Sequence, residues 1–552
     1  MPPTSTVLFT CEGTLYQYAG EESGRPYYDP LGDVDAFAIT VEKRKKTSGS
    51  AAEYVILVTE DEEVVFEQPL GVELQLTYSD QAASVHWPAL IEEELETVAF
   101  RFSAPADKAA QVTPRMCMQR FVALYNQCTY SLLTGYDEVD PEDEWYDYLG
   151  GAASHELRNE DAAEHVFEFD PARMTVAGTG ADNICAAESL QFNRVLVIKK
   201  GNEAASLEMQ ALPVTERGFD QAGAEKVAVT AVDGTATGAL LENGDLKLLL
   251  FGGKKAAVQQ VDLATGSVVQ EYKPQDLDIQ GLSYANHASA DSGAVYTCLG
   301  RNVAFNIDTR MDPRSCVVME DGKQPTDYAV RTLRKDFTCH ATSRNGYLVI
   351  GDGSGSIRLY TGPPGARKPA GGYYPKSAKT LLETKVPIVD IDVTADGKYI
   401  VATTAQLLLF IETKYIDSND KATNGFQGRM GAQKPKPILL QPTPAQIMQM
   451  GGASAVRFHT ARFDRFPGTE ELCVTASCGD YILTWSLRNI VSSQESGRAA
   501  VNSAVTVGQV VLSTSANRTD HVGFLTGKDV GVVPFHEAQK AVSKAWTWGQ
   551  EK

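Results

Sequence analysis

Residues Pro387–Ile411, PIVDIDVTADGKYIVATTAQLLLFI, contain the unit from which most of the chain is built. Val389, Ile391 and Val393 alternate with other residues at the period of two that marks a strand. Asp396-Gly397 follows, a dipeptide that accepts the positive φ of a tight hairpin turn. KYIVATT then supplies a second strand, and the run through Leu407 and Phe410 a third. Strands and tight turns continue on either side of this unit, in NRVLVIKKGN, DLKLLLFGG, AVQQVDLATGSVVQEYK, NVAFNIDT and GYLVIGDGSGSIRLYT. From about Val166 onward no long helical period interrupts them, and the two irregular stretches, Thr361–Lys379 and Lys414–Met450, read as loops between strands.

Four-stranded units recurring every 40–50 residues are the pattern of a β-propeller. CVTASCGDYILTWSL places Trp485 where WD-type repeats carry the Trp of their third strand, with Gly479-Asp480 in the preceding turn and Ser486 in place of the WD aspartate. Seven blades of about 50 residues divide the region best, six and eight being the neighbouring counts. GQVVLSTS and FLTGKDVGVVP are expected to close the last blade beside a strand from the propeller's N-terminal part, since an open ring would leave exposed edges.

Residues 7–102 carry seven or eight short β-rich runs, including VLFTC, TLYQY, VDAFAITV, EYVILV and TVAFRF. Thr113-Pro114 then forms an N-cap and first-turn pair for a helix whose apolar face is Cys117, Phe121, Leu124, Tyr125, Cys128 and Leu132, ended by Gly135. Strands closed by one C-terminal amphipathic helix are the element order of a pleckstrin-homology-like (PH-like) barrel or sandwich. The expected organisation is a PH-like domain over 1–135, an acidic linker over 136–165, a WD-type propeller over 166–540 and a tail over 541–552. The fold class is mainly β.

The chain has 552 residues, 43% hydrophobic and 22% charged, values of an ordinary globular protein with a large core. Its net charge of −21 repels phosphate backbones over most of the surface, which argues against a nucleic-acid partner. No basic-then-apolar leader opens the sequence and no run of 18 apolar residues occurs, so neither secretion nor membrane spanning is expected. Nine cysteines without a C-x-x-C pair read as reduced, buried thiols in the cytosol.

NGYLVIGDGSGSIRLYT, VPIVDIDVTADGKYIVATT, KPKPILLQPTPAQIMQM and ARFDRFPGTEELCVTASCGDYILTWSLRNI, in that order, resemble the C-terminal domain of the vacuolar import and degradation family. DLATGSVVQEYK, AFNIDTRMD and FLTGKDVGVVP extend the resemblance over about 190–535, and the preceding β-plus-helix region looks like the PH-like domain of the same family. The fungal members carry a further N-terminal domain; this chain begins at the PH-like part, as do plant relatives known for defects in embryo and meristem development. The resemblance implies a cytoplasmic protein, with nuclear or peripheral membrane association also compatible, linked to trafficking or degradation and without an established catalytic activity.

The strongest local signal is Lys43-Arg44-Lys45-Lys46, entering the Thr47–Ala52 loop, a candidate for binding anionic ligands such as phosphoinositides, against the plainer reading of a solvated hairpin tip. Residues 137–170 hold 13 acids and one base, Arg158; within them Asp143, Glu144, Trp145 and Tyr146 combine charge with aromatic anchors and form a candidate partner-binding arm, against the plainer reading of a spacer. That arm has two candidate targets, a basic partner or this chain's own basic loops at Arg367-Lys368 and Lys434-Pro435-Lys436. Gly351-Asp-Gly-Ser-Gly355 lacks the G-K-[ST] ending of a phosphate loop and precedes a strand, so it reads as a hairpin turn. No catalytic motif or metal-ligand cluster appears, and no cofactor is expected; Cys339 and His340 are adjacent, so on a strand they face opposite ways. The reading is a non-enzymatic cytosolic scaffold for proteins or peptides. A peripheral membrane adaptor with weak affinity for anionic lipid is the alternative, and a propeller hydrolase or lyase ranks last.

Overall fold

The computed structural model of the chain describes residues 5–22, 25–45, 52–71, 74–91, 94–104, 112–136, 153–154, 164–180, 182–189, 192–201, 206–215, 218–220, 222–229, 235–242, 246–286, 294–417, 421–431, 434–465, 472–496, 500, 502–515, 521–540 and 547–548.

The N-terminal unit is a bent antiparallel sheet closed by one helix. Its central strand, Ser5–Glu22, pairs along its first half with Phe37–Lys45 and along its second with Glu94–Phe102, and Gly13 is the residue common to both registers. A Cβ at Gly13 would stand 2.2 Å from the Arg101 carbonyl oxygen and 2.6 Å from the Phe100 ring, so only glycine lets the strand pass this corner. VLFTC and TLYQY, two runs in the sequence, are therefore one strand. A strand without a strong sequence signal, Arg25–Pro30, pairs back onto its end.

The helix Pro114–Thr134 has Thr113 as N-cap, accepting from the Met116 N–H, and ends at Gly135 with φ +73°. Cys117, Met118, Phe121, Tyr125 and Cys128 fill the bowl of the sheet. Leu132, placed on that stripe by its spacing, is instead 39% exposed, and Thr129, Tyr130 and Ser131 are buried. The last turn leaves the bowl and packs elsewhere.

In the rest of the described chain seven sheets of three to five strands form the blades of a propeller. Their inner strands are, in order, Asn183–Ser189, Gly238–Glu242, Gly281–Tyr284, Phe337–Thr342, Asp390–Val393, Phe458–Arg465 and Val511–Ser515. Each blade lies between two others, so second strands are covered on both faces. This is why KLLLF and YIVAT are near-continuous apolar runs. Adjacent residues go to opposite seams: Leu248 packs between blades 1 and 2 and Leu249 between 2 and 3; Ile400 between 4 and 5 and Val401 between 5 and 6. Trp485, on the third strand of blade 6, is fully buried in the seam with blade 5.

The stretch 414–450, read as loop, contains a small hairpin, Lys414–Ile416 with Ala422–Asn424, the outer strand Ile438–Leu440 and the short helix Pro444–Gln449, capped by Thr443.

Blade 7 joins the two ends of the ring. Its three inner strands are C-terminal, Val511–Ser515, His521–Thr526 and Asp529–Lys540; its outer edge is Glu164–Phe169 and Thr175–Gly178, from the start of the propeller. Phe169 stacks on Phe535 at 4.4 Å across this join and reaches the seam with blade 6.

Polar side chains tie inner strands together across seams. In the seam of blades 3 and 4, His340 Nε2 lies 2.9 Å from Ser283 Oγ and 3.3 Å from the Thr297 carbonyl oxygen. Between blades 5 and 6 the Arg462 guanidinium binds both oxygens of Asp390, and the Phe463 N–H donates to Asp392 at 2.9 Å. Burial lowers the His340 pKa to about 4, with the hydrogen bond to Thr297 acting against it and Arg462 assisting. Burial also raises the Asp390 carboxyl, against the attraction of Arg462.

Two outcomes follow from this architecture. Phe169→Ala should destabilise the ring by about 3 kcal/mol in chemical denaturation, because it empties a buried aromatic site at the join, and deletion from residue 509 onward should abolish cooperative unfolding of the propeller. An unchanged transition in the truncated protein would contradict closure by blade 7. His340 is neutral in the fold and protonates more easily when unfolded, so its contribution is complete above pH 6.5 and is lost as pH falls toward about 4. Asp390, whose carboxyl is raised, acts in the opposite sense. Denaturation midpoints measured across this window should fall less steeply for His340→Gln than for the wild type, the difference reaching at most about 3 kcal/mol.

Candidate interaction site

The cationic run begins on the hairpin formed by Phe37–Lys45 and Ala52–Glu60, where Lys43 faces Tyr54, Arg44 faces Glu53 and Lys45 faces Ala52. Arg44 is already occupied. Its Nε donates to Glu42 at 3.1 Å, and Nη1 and Nη2 donate to the two oxygens of Glu67 at 2.7 and 3.4 Å. The Glu67 bonds raise the guanidinium pKa further, so an incoming anion would have to displace a bidentate carboxylate. Lys43 Nζ sits 5.7 Å from the Tyr54 ring centroid. Of Lys45 the backbone alone is described, and Lys46 lies outside the described residues. The sequence displays the four cations but not Glu67, which reaches Arg44 from the next-but-one strand of the sheet.

Asp143, Glu144, Trp145 and Tyr146 lie outside the described residues. The described part of that connection, Ala153–Ser154, pairs in parallel with Thr77–Ser79, extending the edge of the N-terminal sheet. The C-terminal Thr547–Trp548 pairs in parallel with Tyr27 and Tyr28. Chain segments on both sides of the propeller thus return to the N-terminal unit.

The two units also meet directly. Tyr130, 1% exposed, enters the seam of blades 4 and 5 beside Val386 and Ile388, with Leu133 packed against the same cluster. Lys385 Nζ lies 5.9 Å from the ring centroids of both Tyr130 and Tyr136. On the neighbouring loop, Gln75 Nε2 donates to the Pro442 carbonyl at 2.6 Å. Cation–ring contacts of this kind strengthen when partly desolvated. Sequence reading missed this junction, since nothing in the helical spacing separates a tyrosine bound for the bowl from one bound for another unit.

Cys339 and His340 diverge as alternation requires. Cys339 enters the seam of blades 4 and 5, where burial pushes its thiol up to about 12, while His340 faces blade 3. The glycine-rich stretch is a turn closed by its own carboxylate. Asp352, fully buried, accepts from the backbone N–H groups of Ser354 and Ser356 and from Arg358 Nη1 at 2.9, 3.0 and 2.6 Å. Burial alone would raise Asp352, yet these donors outweigh it and hold the carboxyl below its usual range. The turn's donors therefore serve Asp352 in place of a phosphate. Among the described residues no group of three His, Cys, Asp or Glu is arranged to hold a metal, and no helix is long and apolar enough to cross a membrane.

Solved structures similar to this chain include the β-propeller domain of Cps50 (Swd1) from Myceliophteria thermophila, with 9% identity, covering 67% of this chain and 99% of that one at a TM-score of 0.41. The WD40 β-propeller domain of Doa1 has 8% identity, covering 66% and 96%, at a TM-score of 0.42. The propeller assignment stands on the seven-sheet topology described above. Vacuolar import and degradation protein 27 of Schizosaccharomyces pombe is 29% identical over 263 residues, 46% of this chain and 30% of the relative. The protein of the same name from Saccharomyces cerevisiae is 23% identical over 337 residues, 59% of this chain and 40% of the relative. The chain thus spans well under half the length of the curated relatives it matches. The family model for the VID27 C-terminal WD40-like domain matches residues 228–504, just over half of the chain and nearly all of blades 2 to 6, five of the seven, and the chain belongs to the VID27 family.

Proposed function

We propose that this chain is a non-catalytic protein-interaction scaffold in which a PH-like N-terminal domain and the propeller act as one rigid platform. The observation that carries the reading is the junction at Lys385, where Tyr130 and Tyr136 from the helix end meet the connection between blades 4 and 5. Two units joined only by a linker would present two independent surfaces. Units joined by a buried tyrosine, a loop hydrogen bond and two returning strands present one surface of fixed shape, which lowers the entropic cost of binding a partner that spans both.

The relatives' name places them in vacuolar import and degradation, and by that likeness the platform serves a trafficking or protein-degradation route from the cytoplasm, with peripheral membrane or nuclear association compatible with it. Phosphoinositide binding through Lys43–Lys46 is the weaker reading, because Arg44 is held by Glu42 and Glu67.

Immobilised full-length chain should recover a reproducible set of proteins from lysate. Tyr130→Ala combined with Lys385→Ala should leave the propeller's unfolding transition in place, increase the radius of gyration in small-angle scattering, and lose those partners that touch both units. Recovery of no specific partner would sink the scaffold reading. A larger radius with an unaltered partner set would sink the single-platform reading.

A further inference from the structure

In a propeller blade the inner strand runs from one face of the ring to the other and successive strands return antiparallel. First-to-second and third-to-fourth strand connections therefore emerge on the same face. In blades 4 and 5 these are residues 343–347, 361–379, 394–398 and 413–437, and together they hold eleven Lys and Arg against three Asp. The net of +8 stands in a chain of −21, leaving −29 on the remainder. Arg344, Arg367, Lys376, Lys414, Lys421 and Arg429 are all exposed, and among the described residues none is in an ion pair.

These loops are fixed with respect to one another. Thr361 Oγ1 donates to the Phe426 carbonyl at 2.8 Å, and Thr380 Oγ1 is 2.9 and 3.2 Å from the carbonyls of Gly425 and Gly428. Tyr347 stacks on Phe426 at 5.1 Å with 7° between planes, and its hydroxyl accepts from Gln427 Nε2 at 2.6 Å. Within 361–379 a turn is closed by Arg367 paired with Tyr373, by Tyr374 N–H to the Ala366 carbonyl and by Lys368 N–H to the Gly372 carbonyl. The cations therefore stand on a preorganised surface and are not scattered along a flexible tail.

We infer that this face of blades 4 and 5 binds an acidic polypeptide segment of a partner protein, deepening the scaffold reading on which it rests. Charge complementarity selects an anion, and the limited extent of the patch selects its kind. Screening confines each exposed charge to about 8 Å at physiological ionic strength. A short acidic segment can lie wholly within the patch, whereas a bilayer or a nucleic-acid duplex extends past it and meets the −29 of the remaining molecule. Membrane insertion has little apolar surface to use, Ile416 being the one exposed large aliphatic or aromatic side chain among the described residues of these loops. Along the sequence Arg367-Lys368 and Lys434-Lys436 lie about 67 positions apart; the third-to-fourth strand connections of adjacent blades bring them to one face.

The test uses the full chain, a fluorescent 12-residue Glu/Asp peptide, its Gln/Asn counterpart and vesicles of phosphatidylcholine with phosphatidylserine. Wild-type protein should bind the acidic peptide with an affinity that falls with added salt, and should bind neither the neutral peptide nor the vesicles. Arg367→Glu, Lys376→Glu, Lys414→Glu and Arg429→Glu together should weaken binding at least about tenfold with the unfolding transition retained. Lys254→Glu with Arg301→Glu, in second-to-third strand connections on the opposite face, should leave binding unchanged. Should the quadruple variant fold poorly, the same four positions changed to Gln are expected to weaken binding in the same direction. Equal binding by the wild type and the quadruple variant, equal loss in the opposite-face variant, or preference for vesicles would overturn the inference. Protein that still recovers its partners from lysate but ignores the acidic peptide would remove this face and leave the scaffold standing.

Discussion

A ring of sheets is stable only when its last sheet pairs with its first, since any gap exposes two sheet faces and an unpaired strand edge. Here that requirement is met by a strand exchange between distant parts of the chain, Glu164–Phe169 and Thr175–Gly178 completing a blade whose other strands lie between Val511 and Lys540. The stacked Phe169 and Phe535 sit at this join. Every other seam depends on it, because a blade covered on one side alone would expose residues such as Leu248 or Ile400 that have no polar face to turn outward.

The same closure positions the N-terminal unit. The chain that leaves the helix at Gly135 must reach Glu164 at the edge of blade 7, and on its way Ala153–Ser154 extends the N-terminal sheet. Thr547–Trp548, following the last propeller strand, pairs on the other side of that unit. Tyr130 then needs only to fill the seam between blades 4 and 5 for the two units to share one core cluster. The packing of a helix end against the ring is thus supported by covalent connections that already hold the partners close, which raises their effective concentration.

Charge is divided by this architecture in a way that overall composition conceals. An acidic chain carries basic loops on one face of blades 4 and 5, while the cations of the N-terminal hairpin are partly spent on Glu42 and Glu67. A compact run such as Lys43–Lys46 is conspicuous in sequence yet partly neutralised in space. The loop cations are unremarkable in sequence and become a patch because adjacent blades repeat the same topology.

Local pattern determined a great deal: the period of two around Ile391, the turn at Asp396-Gly397, the cap at Thr113 and the buried Trp485 each follow from short-range stereochemistry and are legible without a structure. The turn reading of Gly351–Gly355 was legible for the same reason, although the identity of Asp352 as its internal acceptor was not. What the sequence could not specify are pairings set by distance in space. Gly13 as a corner, Leu132 turned outward while Tyr130 is buried, Glu67 reaching Arg44, and the assembly of the basic face all depend on contacts between residues far apart along the chain. Periodicity reports which residues share a face of one element; only the tertiary structure decides what each face meets.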